Sequence, residues 1–456
     1  MRWHRGSASR PHLTGECAWE VITVERVMTA ELGRHVGERV RLAGWLQQQR
    51  RLSRMTFVVV RDGSGVAQAV AEESAQRAAL LQLLPETVLE VEGEVVATPQ
   101  APGGVELHAP IVRVLSRPVG APPIELRRPR LKEQLPTRLD HAAVALRHPL
   151  ERARFALAAA SLAGYREALD RRGFVEIQTP KLVGSAIEGG ANVFEVDYFG
   201  RPAYLAQSPQ LYKQIMVGAF ERVYECGPAF RAEPHDTVRH LAEFTSLDLE
   251  IGFIDDHRAV MRVARDAVAG MADGVRARAA PAVGLLGIDV PEVPAEIPSV
   301  DFTLAQELIE RATRRRVVGE PDLAPADERW LGEWACREHG SDFVFVVGYP
   351  MEKRPFYTHP DPGRPGFSNS FDLVFRGVEL LTGGQRLHRY EDYLAALAAR
   401  GLSPEPFAAY LEAFRYGMPP HGGLGMALER WVAQLTGVRN IREARPFPRD
   451  RTRLEP

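Results

Sequence analysis

RVYECGPAFRAEPHDTVRHLAEFTSLDLEIG, residues 222–252, has the pattern of two apolar strands joined by a polar loop through His235 and Asp236. Its cationic, acidic and aromatic residues near the loop are Arg231, Glu233, Arg239, His240 and Phe244. Such a hairpin would aim guanidinium groups and a ring into one cleft, which suits a triphosphate and a stacked purine. Taken alone, an arginine-rich hairpin is more often the solvated edge of a sheet.

Side chains would have to hold the phosphates, because the chain contains neither a GxxxxGK[ST] loop nor a GxGxxG turn after a strand. A second segment, SFDLVFRGVELLTGGQRLH at 370–388, places Asp372 and Glu379 on flanking strands, followed by a glycine pair and Arg386. Carboxylates in this setting hold Mg²⁺ through one or two ligands while a nucleotide supplies the rest. The alternative is two surface acids on unrelated strands.

A third segment, PPHGGLGMALERWVAQL at 419–435, combines glycines with a helix start. The glycines would let backbone approach a ligand, and Glu429 and Arg430 open the helix. Seen singly, the segment is by default interpreted as a helix start after a flexible turn.

Around these segments the chain divides into regions that differ in composition and hydrophobic periodicity. Residues 1–27 carry no periodicity and are expected to be a disordered leader or a mis-assigned start. Residues 28–116 hold short Val-rich segments broken by Gly and Pro, which predicts a five-stranded barrel of the oligonucleotide-binding type. Residues 117–138, with five prolines and six basic residues, predict a linker that could touch RNA backbone.

Residues 139–456 predict a larger α+β domain. Helical spacing from Leu150 to Arg172 leads into the strand-like FVEIQTP, and further apolar strands outnumber what a βαβ alternation would give. We therefore expect a mainly antiparallel sheet flanked by helices. The chain length of 456 residues agrees with two domains.

The composition limits how this protein could bind a polyanion. The chain is nearly neutral, with 57 Lys+Arg against 59 Asp+Glu, so a polyanion would have to bind to a local basic surface. The isolated cysteines Cys17, Cys226 and Cys336 argue against a disulfide framework and against zinc. No apolar run approaches the ~20 residues of a membrane span, so a soluble cytoplasmic protein is expected.

The three segments, in this order, resemble motifs 2 and 3 of the class II aminoacyl-tRNA synthetases with the magnesium strand between them. LAAASLAGYREALDRRGFVEIQTP resembles motif 1, the dimer-interface helix and strand ending in Pro180. The likeness covers the chain from about Met28, and the barrel corresponds to the anticodon-binding domain of the aspartyl, asparaginyl and lysyl subgroup. It implies an antiparallel catalytic sheet and a homodimer.

Within the subgroup the chain is most similar to the compact, archaeal-type aspartyl-tRNA synthetases, through SAIEGGANVFEVDYF, AYLAQSPQLYKQIM, RPFYT and the terminal PFPRD. It lacks the large insertion between motifs 2 and 3 of ordinary bacterial aspartyl enzymes. The resemblance implies an aspartate–tRNA ligase that takes ATP, L-aspartate and tRNA(Asp), with Mg²⁺ as the cofactor and no protein nucleophile.

The resemblance also assigns residues. The implied catalytic residues are Arg231 and Arg430. For ATP it implies Arg231, Glu233, Arg239, His240, Leu241, Phe244, Glu379, Ala427, Glu429 and Arg430, with Phe244 and Arg430 sandwiching adenine. For aspartate it implies Glu188, Gln210, Lys213, Arg231, Asp248, Thr382 and Arg386. For the metal it implies Asp372 and Glu379.

Aspartate is favoured over asparagine because Lys213 and Arg386 would both hold the side-chain carboxylate. Two cations in a closed pocket are left underpaired by an amide, and an unpaired buried charge costs several kcal/mol. The alternative for Lys213 is an ordinary solvent-facing lysine on a helix.

In the barrel, Arg50, Phe57 and Gln68 match anticodon-reading positions, where an aromatic ring stacks a base and polar groups read its edge. A lone Phe on a strand is otherwise more often part of a core. Two further positions conflict over tRNA choice. Pro102 resembles relatives that charge both tRNA(Asp) and tRNA(Asn), whereas Gln47 stands where those relatives usually have histidine; charging both would require a separate amidotransferase.

Ala427 stands where many relatives have glycine, which adds a methyl group beside the ATP site.

Three other functions compete with the aspartate assignment: a paralogue that activates aspartate without tRNA, a nucleic-acid-binding module without catalysis, and an asparaginyl-tRNA synthetase. The intact barrel opposes the first, the presence of Arg231, Glu379 and Arg430 opposes the second, and Lys213 opposes the third.

Overall fold

The computed structural model describes residues 24–184, 193–234 and 236–455. The chain divides into two compact units, Met1–Leu131 and Lys132–Pro456. The division falls inside residues 117–138, the stretch predicted to be a linker, and a helix begins within that stretch at Leu135.

The first unit is a closed five-stranded barrel, as predicted. Its strands pair in the order β1-β2-β3-β5-β4. Alternating valines and leucines point inward, and Val58, Leu89 and Val95 are fully buried. The bounds are β1 Arg39–Arg51, β2 Thr56–Arg61, β3 Val66–Ala71, α1 Ser74–Leu80, β4 Val88–Ala97 and β5 Val105–Ser116, with 3₁₀ turns at Thr29–Arg34 and Pro102–Gly104.

The second unit is built on an eight-stranded sheet, in the order β12-β13-β14-β15-β16-β11-β10-β6. Its neighbours are antiparallel except for the two end pairs, which are parallel. The strands are β6 Val175–Glu176, β10 Arg222–Phe230, β11 Glu243–Gly252, β12 Ser299–Asp301, β13 Phe343–Val347, β14 Ser370–Phe375, β15 Val378–Gln385 and β16 His421–Ala427. A separate small sheet holds β7 Leu182–Val183, β8 Glu195–Tyr198 and β9 Arg201–Leu205. The predicted α+β class, with a mainly antiparallel sheet, is confirmed.

Helices cover the sheet and carry part of the core. Their bounds are α2 Leu135–Asp140, α3 Ala142–Ala145, α4 Pro149–Asp170, α5 Gln210–Phe220, α6 His257–Arg278, α7 Ala280–Leu286, α8 Phe302–Thr313, α9 Pro325–His339, α10 Tyr390–Ala399, α11 Ala408–Arg415 and α12 Leu428–Thr436, with 3₁₀ turns at Met351–Lys353, Glu405–Phe407 and Ile441–Ala444. The backbones of helices α4 and α6 are in contact at Gly164 and Gly270. A Cβ atom on Gly164 would overlap the carbonyl oxygen of Gly270, so this contact requires glycine. Trp431 of α12 is buried and donates to Ser161 Oγ of α4 at 2.8 Å, which ties α12 to α4.

The glycine-rich third segment is a central strand and not a flexible turn. Strand β16 pairs with β11 on one side and with β15 on the other. Glycine has a low propensity for β-strands. At Gly423, however, any Cβ atom would overlap the Leu249 carbonyl and the Glu250 carboxylate. The close approach of neighbouring strands therefore requires glycine here, and it brings all three sequence segments into adjacent strands.

Candidate active site

A cavity of about 370 Å³ lies where β11, β15 and β16 meet. Most of the residues predicted for the site line it together: Gln210, Arg231, Glu233, Arg239, His240, Leu241, Phe244, Asp248, Glu379, Thr382, Arg386, Ala427 and Arg430. The hairpin is thus not a solvated edge, because β11 pairs with β10 on one side, from Arg222↔Ile251 to Phe230↔Glu243, and with β16 on the other.

One end of the cavity is rich in guanidinium groups. Arg231 lies over the ring of Phe244, with its Cζ 5.3 Å from the ring centroid. Arg239 donates to Glu328 Oε2 at 2.8 Å, and the Glu379 amide donates to the same oxygen at 2.9 Å. Cations around an aromatic face form a surface suited to a nucleotide, and the predicted sandwich of adenine between Phe244 and Arg430 stays a prediction.

His240 also lines this end. Its Nε2 lies 3.3 Å from Glu233 Oε2, and its Nδ1 lies 2.7 Å from Thr237 Oγ1. The imidazole is therefore held on both sides, which orients the Glu233 carboxylate at the cavity wall.

The two carboxylates predicted to bind metal lie on paired strands, Asp372 on β14 and Glu379 on β15. Arg430 donates to Glu379 Oε1 at 2.9 Å, and Arg354 donates to both oxygens of Asp372 at 3.3 and 3.2 Å. Burial, reinforced by the negative charge of Glu379, raises the pKa of Asp372 despite Arg354. Burial would also raise the pKa of Glu379, but Arg430 lowers it below the usual range.

The other end of the cavity is formed by Arg386. Its Nε donates to Glu250 Oε1 at 3.0 Å and its Nη2 to the Gly423 carbonyl at 2.9 Å. Its Cζ lies 5.4 Å from the ring centroid of Tyr357. Burial opposes the charge, yet Glu250 raises the pKa of Arg386. Its Nη1 makes no hydrogen bond with the described part of the chain, so it is left for a ligand.

Lys213 does not line this cavity. The side chain is 1% exposed, and its Nζ donates to Asp248 Oδ1 at 2.9 Å and to the Leu424 carbonyl at 2.7 Å. A solvent-facing lysine is therefore ruled out. The expectation that both cations would lack a partner when an amide replaces the substrate carboxylate is wrong as well. Lys213 and Arg386 already face two protein carboxylates, Asp248 and Glu250. A role for Lys213 in holding aspartate stays a prediction.

A buried polar network lies beneath Arg386. Gln214 donates to His421 Nε2 at 2.9 Å and to Tyr393 Oη at 3.0 Å, and it accepts from Tyr410 Oη at 3.0 Å. Burial lowers the pKa of His421 to about 4, so the imidazole is neutral. The Arg386 amide donates to the His421 carbonyl at 2.8 Å, so this network fixes the strand end that carries Arg386.

Glu429 is placed away from the cavity. Its carboxylate accepts from the Thr245 amide at 3.0 and 3.1 Å and from Arg445 at 2.7 Å, and burial raises its pKa. It pins α12 to β11, and this geometry does not support contact with ATP. Glu188, predicted for the ammonium group, lies outside the described residues.

Several residues that line the cavity were not predicted from the sequence: Ser208, Ser246, Arg354, Tyr357, Thr358, Ser370 and Ile441. Arg354 and Tyr357 belong to RPFYT, one of the segments that resemble the compact aspartyl enzymes. A cation and an aromatic residue within one short loop was the signal that could have identified them.

In the barrel, the three predicted anticodon residues meet. Arg50 donates to Gln68 Oε1 at 2.9 Å, and its Cζ lies 5.3 Å from the Phe57 ring centroid. Phe57 is half-buried on β2 and pairs with Arg50 of β1. Gln47 lies at a bulge of β1, and its buried Oε1 has no hydrogen-bond partner among the described residues. Pro102 begins a 3₁₀ turn before β5.

Within the described ranges, no three His, Cys, Asp or Glu side chains gather as a metal-binding group. In the same part of the chain, no helix combines the length and apolar character needed to cross a membrane.

Comparison with known proteins agrees with this geometry. The family model described as tRNA synthetases class II (D, K and N) matches residues 134–451, and the OB-fold nucleic acid binding domain matches residues 40–115. The aspartate–tRNA(Asp/Asn) ligase of Thermus thermophilus is 46% identical over 94% of this chain and 100% of its own length. The aspartate–tRNA(Asp) ligase of Pyrococcus furiosus is 39% identical over 92% of this chain and 97% of its own.

A crystal structure with the same architecture is that of asparaginyl-tRNA synthetase from Pyrococcus horikoshii complexed with asparaginyl-adenylate. It superposes with a TM-score of 0.88 at 31% identity, covering 95% of this chain and 100% of the other. The cavity, the barrel and these full-length relatives lead to one conclusion: the chain belongs to the class II aminoacyl-tRNA synthetases of the aspartyl, lysyl and asparaginyl group.

Proposed function

We propose that this enzyme activates L-aspartate with ATP and transfers the aspartyl group to the 3′ end of tRNA. The observation that carries the proposal is that Arg386, an anion-binding group held by Glu250, faces the same cavity as Arg231 and Arg430. The names of the relatives at 46% and 39% identity, both aspartate–tRNA ligases, support the same substrate.

In the first step, an oxygen of the aspartate α-carboxylate attacks the α-phosphorus of ATP, and the bond to the β-phosphate oxygen breaks to release pyrophosphate. Arg231 stabilises the charge that collects on the α-phosphate, and Arg239 holds the phosphate end. Gln210, together with Glu188, holds the ammonium group. Positioning supplies most of the acceleration, so no protein nucleophile is needed.

In the second step, the terminal ribose hydroxyl of tRNA attacks the activated carbonyl and AMP leaves. Phe244 and Arg430 keep the adenine in place through both steps.

Asp372 and Glu379 fit Mg²⁺, because two adjacent carboxylates and a nucleotide's phosphates provide the hard oxygen ligands that this ion prefers. A bound Mg²⁺ would neutralise phosphate charge and orient the polyphosphate. Thr382, whose hydroxyl lies 3.3 Å from Glu379 Oε1, would hold that carboxylate in position.

Selection of aspartate over asparagine rests, in this proposal, on the Nη1 group of Arg386. A carboxylate gives this cationic donor an ion pair, whereas the oxygen of a neutral amide brings no opposite charge to the buried guanidinium. The amide nitrogen of asparagine would in addition turn a donor toward a cation. Lys213 contributes by fixing Asp248, which lines the cavity.

We further propose that the barrel binds the anticodon through Phe57, Arg50 and Gln68, and that both tRNA(Asp) and tRNA(Asn) are charged. The name of the Thermus thermophilus relative, which includes both tRNAs, favours the second substrate. A separate amidotransferase would then convert the aspartyl-tRNA(Asn).

The test is aminoacylation of purified tRNA(Asp) and tRNA(Asn) transcripts with labelled aspartate. Similar plateaus on both transcripts are expected. A flat trace with tRNA(Asn) alone would overturn dual charging, and flat traces with both would overturn the ligase assignment.

We also propose that the enzyme works in the cytoplasm as a homodimer that joins through the β6 edge of the large sheet. Among the residues that the structure describes, strand β6 pairs with β10 alone, and Val175, Phe220 and Phe253 near this edge are exposed apolar side chains. Light scattering should give twice the mass of one chain, and Val175→Asp should lower it toward one.

A further inference from the structure

Arg354 lies between the cavity and the carboxylate of Asp372. It follows the 3₁₀ turn Met351–Lys353, lines the cavity, and donates to both oxygens of Asp372 at 3.3 and 3.2 Å. Its side chain is nearly buried. No sequence motif assigned it a role, and the proposed chemistry does not use it.

The local structure supports Arg354 only in part. Its Cζ stacks 3.9 Å from the ring centroid of the buried Tyr349, and Arg400 donates to its backbone carbonyl at 2.9 Å. Its Nε, however, is buried and has no hydrogen-bond partner within the described residues. A buried guanidinium with an unused donor and two long bonds is incompletely satisfied, which is the condition of a group that has a second set of partners.

The charges around it balance without any metal. Asp372 is neutralised by Arg354, and Glu379 by Arg430. A divalent cation entering this arrangement would meet two guanidinium groups at once, and a nucleotide's phosphates would be needed to offset the excess positive charge.

We propose that Arg354 is a placeholder for the divalent cation: it occupies Asp372 while the nucleotide is absent and turns to the phosphates when the nucleotide arrives. The inference rests on the proposed function for the identity of the nucleotide site. Its consequence is that the enzyme binds free divalent metal weakly and gains affinity for it together with ATP, so that metal and nucleotide enter as a coupled pair.

The test is Mn²⁺ binding to the full-length enzyme without nucleotide, followed by the electron paramagnetic resonance signal of free Mn²⁺. Arg354→Met should bind Mn²⁺ about tenfold more tightly than wild type, because removing the guanidinium frees Asp372. Adding Asp372→Asn to that variant should abolish the gain. Damage to the fold would weaken Mn²⁺ binding, so a gain in affinity cannot come from misfolding.

Arg364→Met is the matched control. Arg364 lies in the same β13–β14 connection, stacks on Phe367 at the same 3.9 Å, and pairs with Asp301, which is not one of the two carboxylates predicted to bind metal. It should leave Mn²⁺ affinity unchanged. Equal or weaker Mn²⁺ binding by folded Arg354→Met would overturn the proposal.

If Arg354→Met does not fold, Arg354→Lys decides. It can make only one bond to Asp372, so tighter Mn²⁺ binding than wild type supports the placeholder and equal or weaker binding overturns it. Aspartate-dependent pyrophosphate exchange by wild type is measured alongside. Its absence would count against the proposed function, whereas the Mn²⁺ comparison would still report on Arg354.

Discussion

Lys213 and Arg386 share the carboxylate of Glu250, with Lys213 Nζ 3.4 Å from Oε2 and Arg386 Nε 3.0 Å from Oε1. The three groups are buried on α5, β11 and the segment after β15. Only Arg386 reaches the cavity, because Lys213 is also bound to Asp248. The shared carboxylate therefore couples a structural cation to the cation that lines the cavity.

Arg386→Met should lower kcat/KM for aspartate in pyrophosphate exchange by about a hundredfold or more, because a buried, charge-assisted contact to the substrate is lost. The KM for ATP should change little, since Arg231, Arg239 and Arg430 are untouched. Arg415→Met is the control: Arg415 lies over Tyr390 much as Arg386 lies over Tyr357, but on the surface. An unchanged aspartate dependence in Arg386→Met would remove Arg386 from the substrate site.

Glu429→Gln should act on stability and not on ATP. The carboxylate is buried between the Thr245 amide and Arg445, and breaking such a pair costs roughly 3 kcal/mol. Denaturant unfolding should show this loss, with the KM for ATP within about twofold of wild type. A large rise in that KM at unchanged stability would restore Glu429 as an ATP ligand.

Stability should fall at acidic pH through His421. Its pKa lies near 4 in the folded chain against 6.5 as the reference value, so the unfolded chain binds more protons between these values. This contribution to the free energy of unfolding is full above pH 6.5 and is lost as the pH falls toward 4. The loss amounts to roughly 2 kcal/mol at about pH 5.

Denaturant unfolding of wild type and His421→Gln at about pH 7.5 and about pH 5 measures this contribution. The wild type should lose more free energy of unfolding over that interval than the variant. Parallel losses in the two proteins would show that His421 does not carry the pH dependence.

Phe57→Ala should weaken tRNA binding by about 1–3 kcal/mol, the usual contribution of one stacked base. Pyrophosphate exchange, which requires no tRNA, should be unaffected. Leu52→Ala changes an exposed apolar residue of the same barrel and serves as the control. If filter binding gives the same tRNA affinity for Phe57→Ala and wild type, Phe57 is a core residue and not an anticodon contact.

Much of the fold could be predicted because local patterns agree with it. The hairpin of residues 222–252 and the valine-rich barrel strands each show a periodicity that the structure keeps. Strand β16 could not be predicted, since its glycines are required by the closeness of Leu249 and Glu250, which sequence spacing does not encode.

Most of the residues predicted for the site line the cavity, but the pairings among them were not predicted. The motifs identified Arg386 and Lys213, yet only the fold shows that Lys213 is 1% exposed and already paired. The pairing of Arg354 with Asp372 was not predicted because the two residues are eighteen apart, one in a loop and one on a strand, and ion pairs of this kind leave no local pattern.

Pyrophosphate exchange by the wild-type enzyme, with aspartate, asparagine and lysine supplied in turn, tests the central claim most directly. If the cavity lined by Arg386, Arg231 and Arg430 holds an acidic amino acid beside ATP, labelled pyrophosphate should be incorporated into ATP when aspartate is supplied. With asparagine or lysine the incorporation should stay at background. Exchange that depends on asparagine or lysine, or no exchange with any of the three, would contradict the claim.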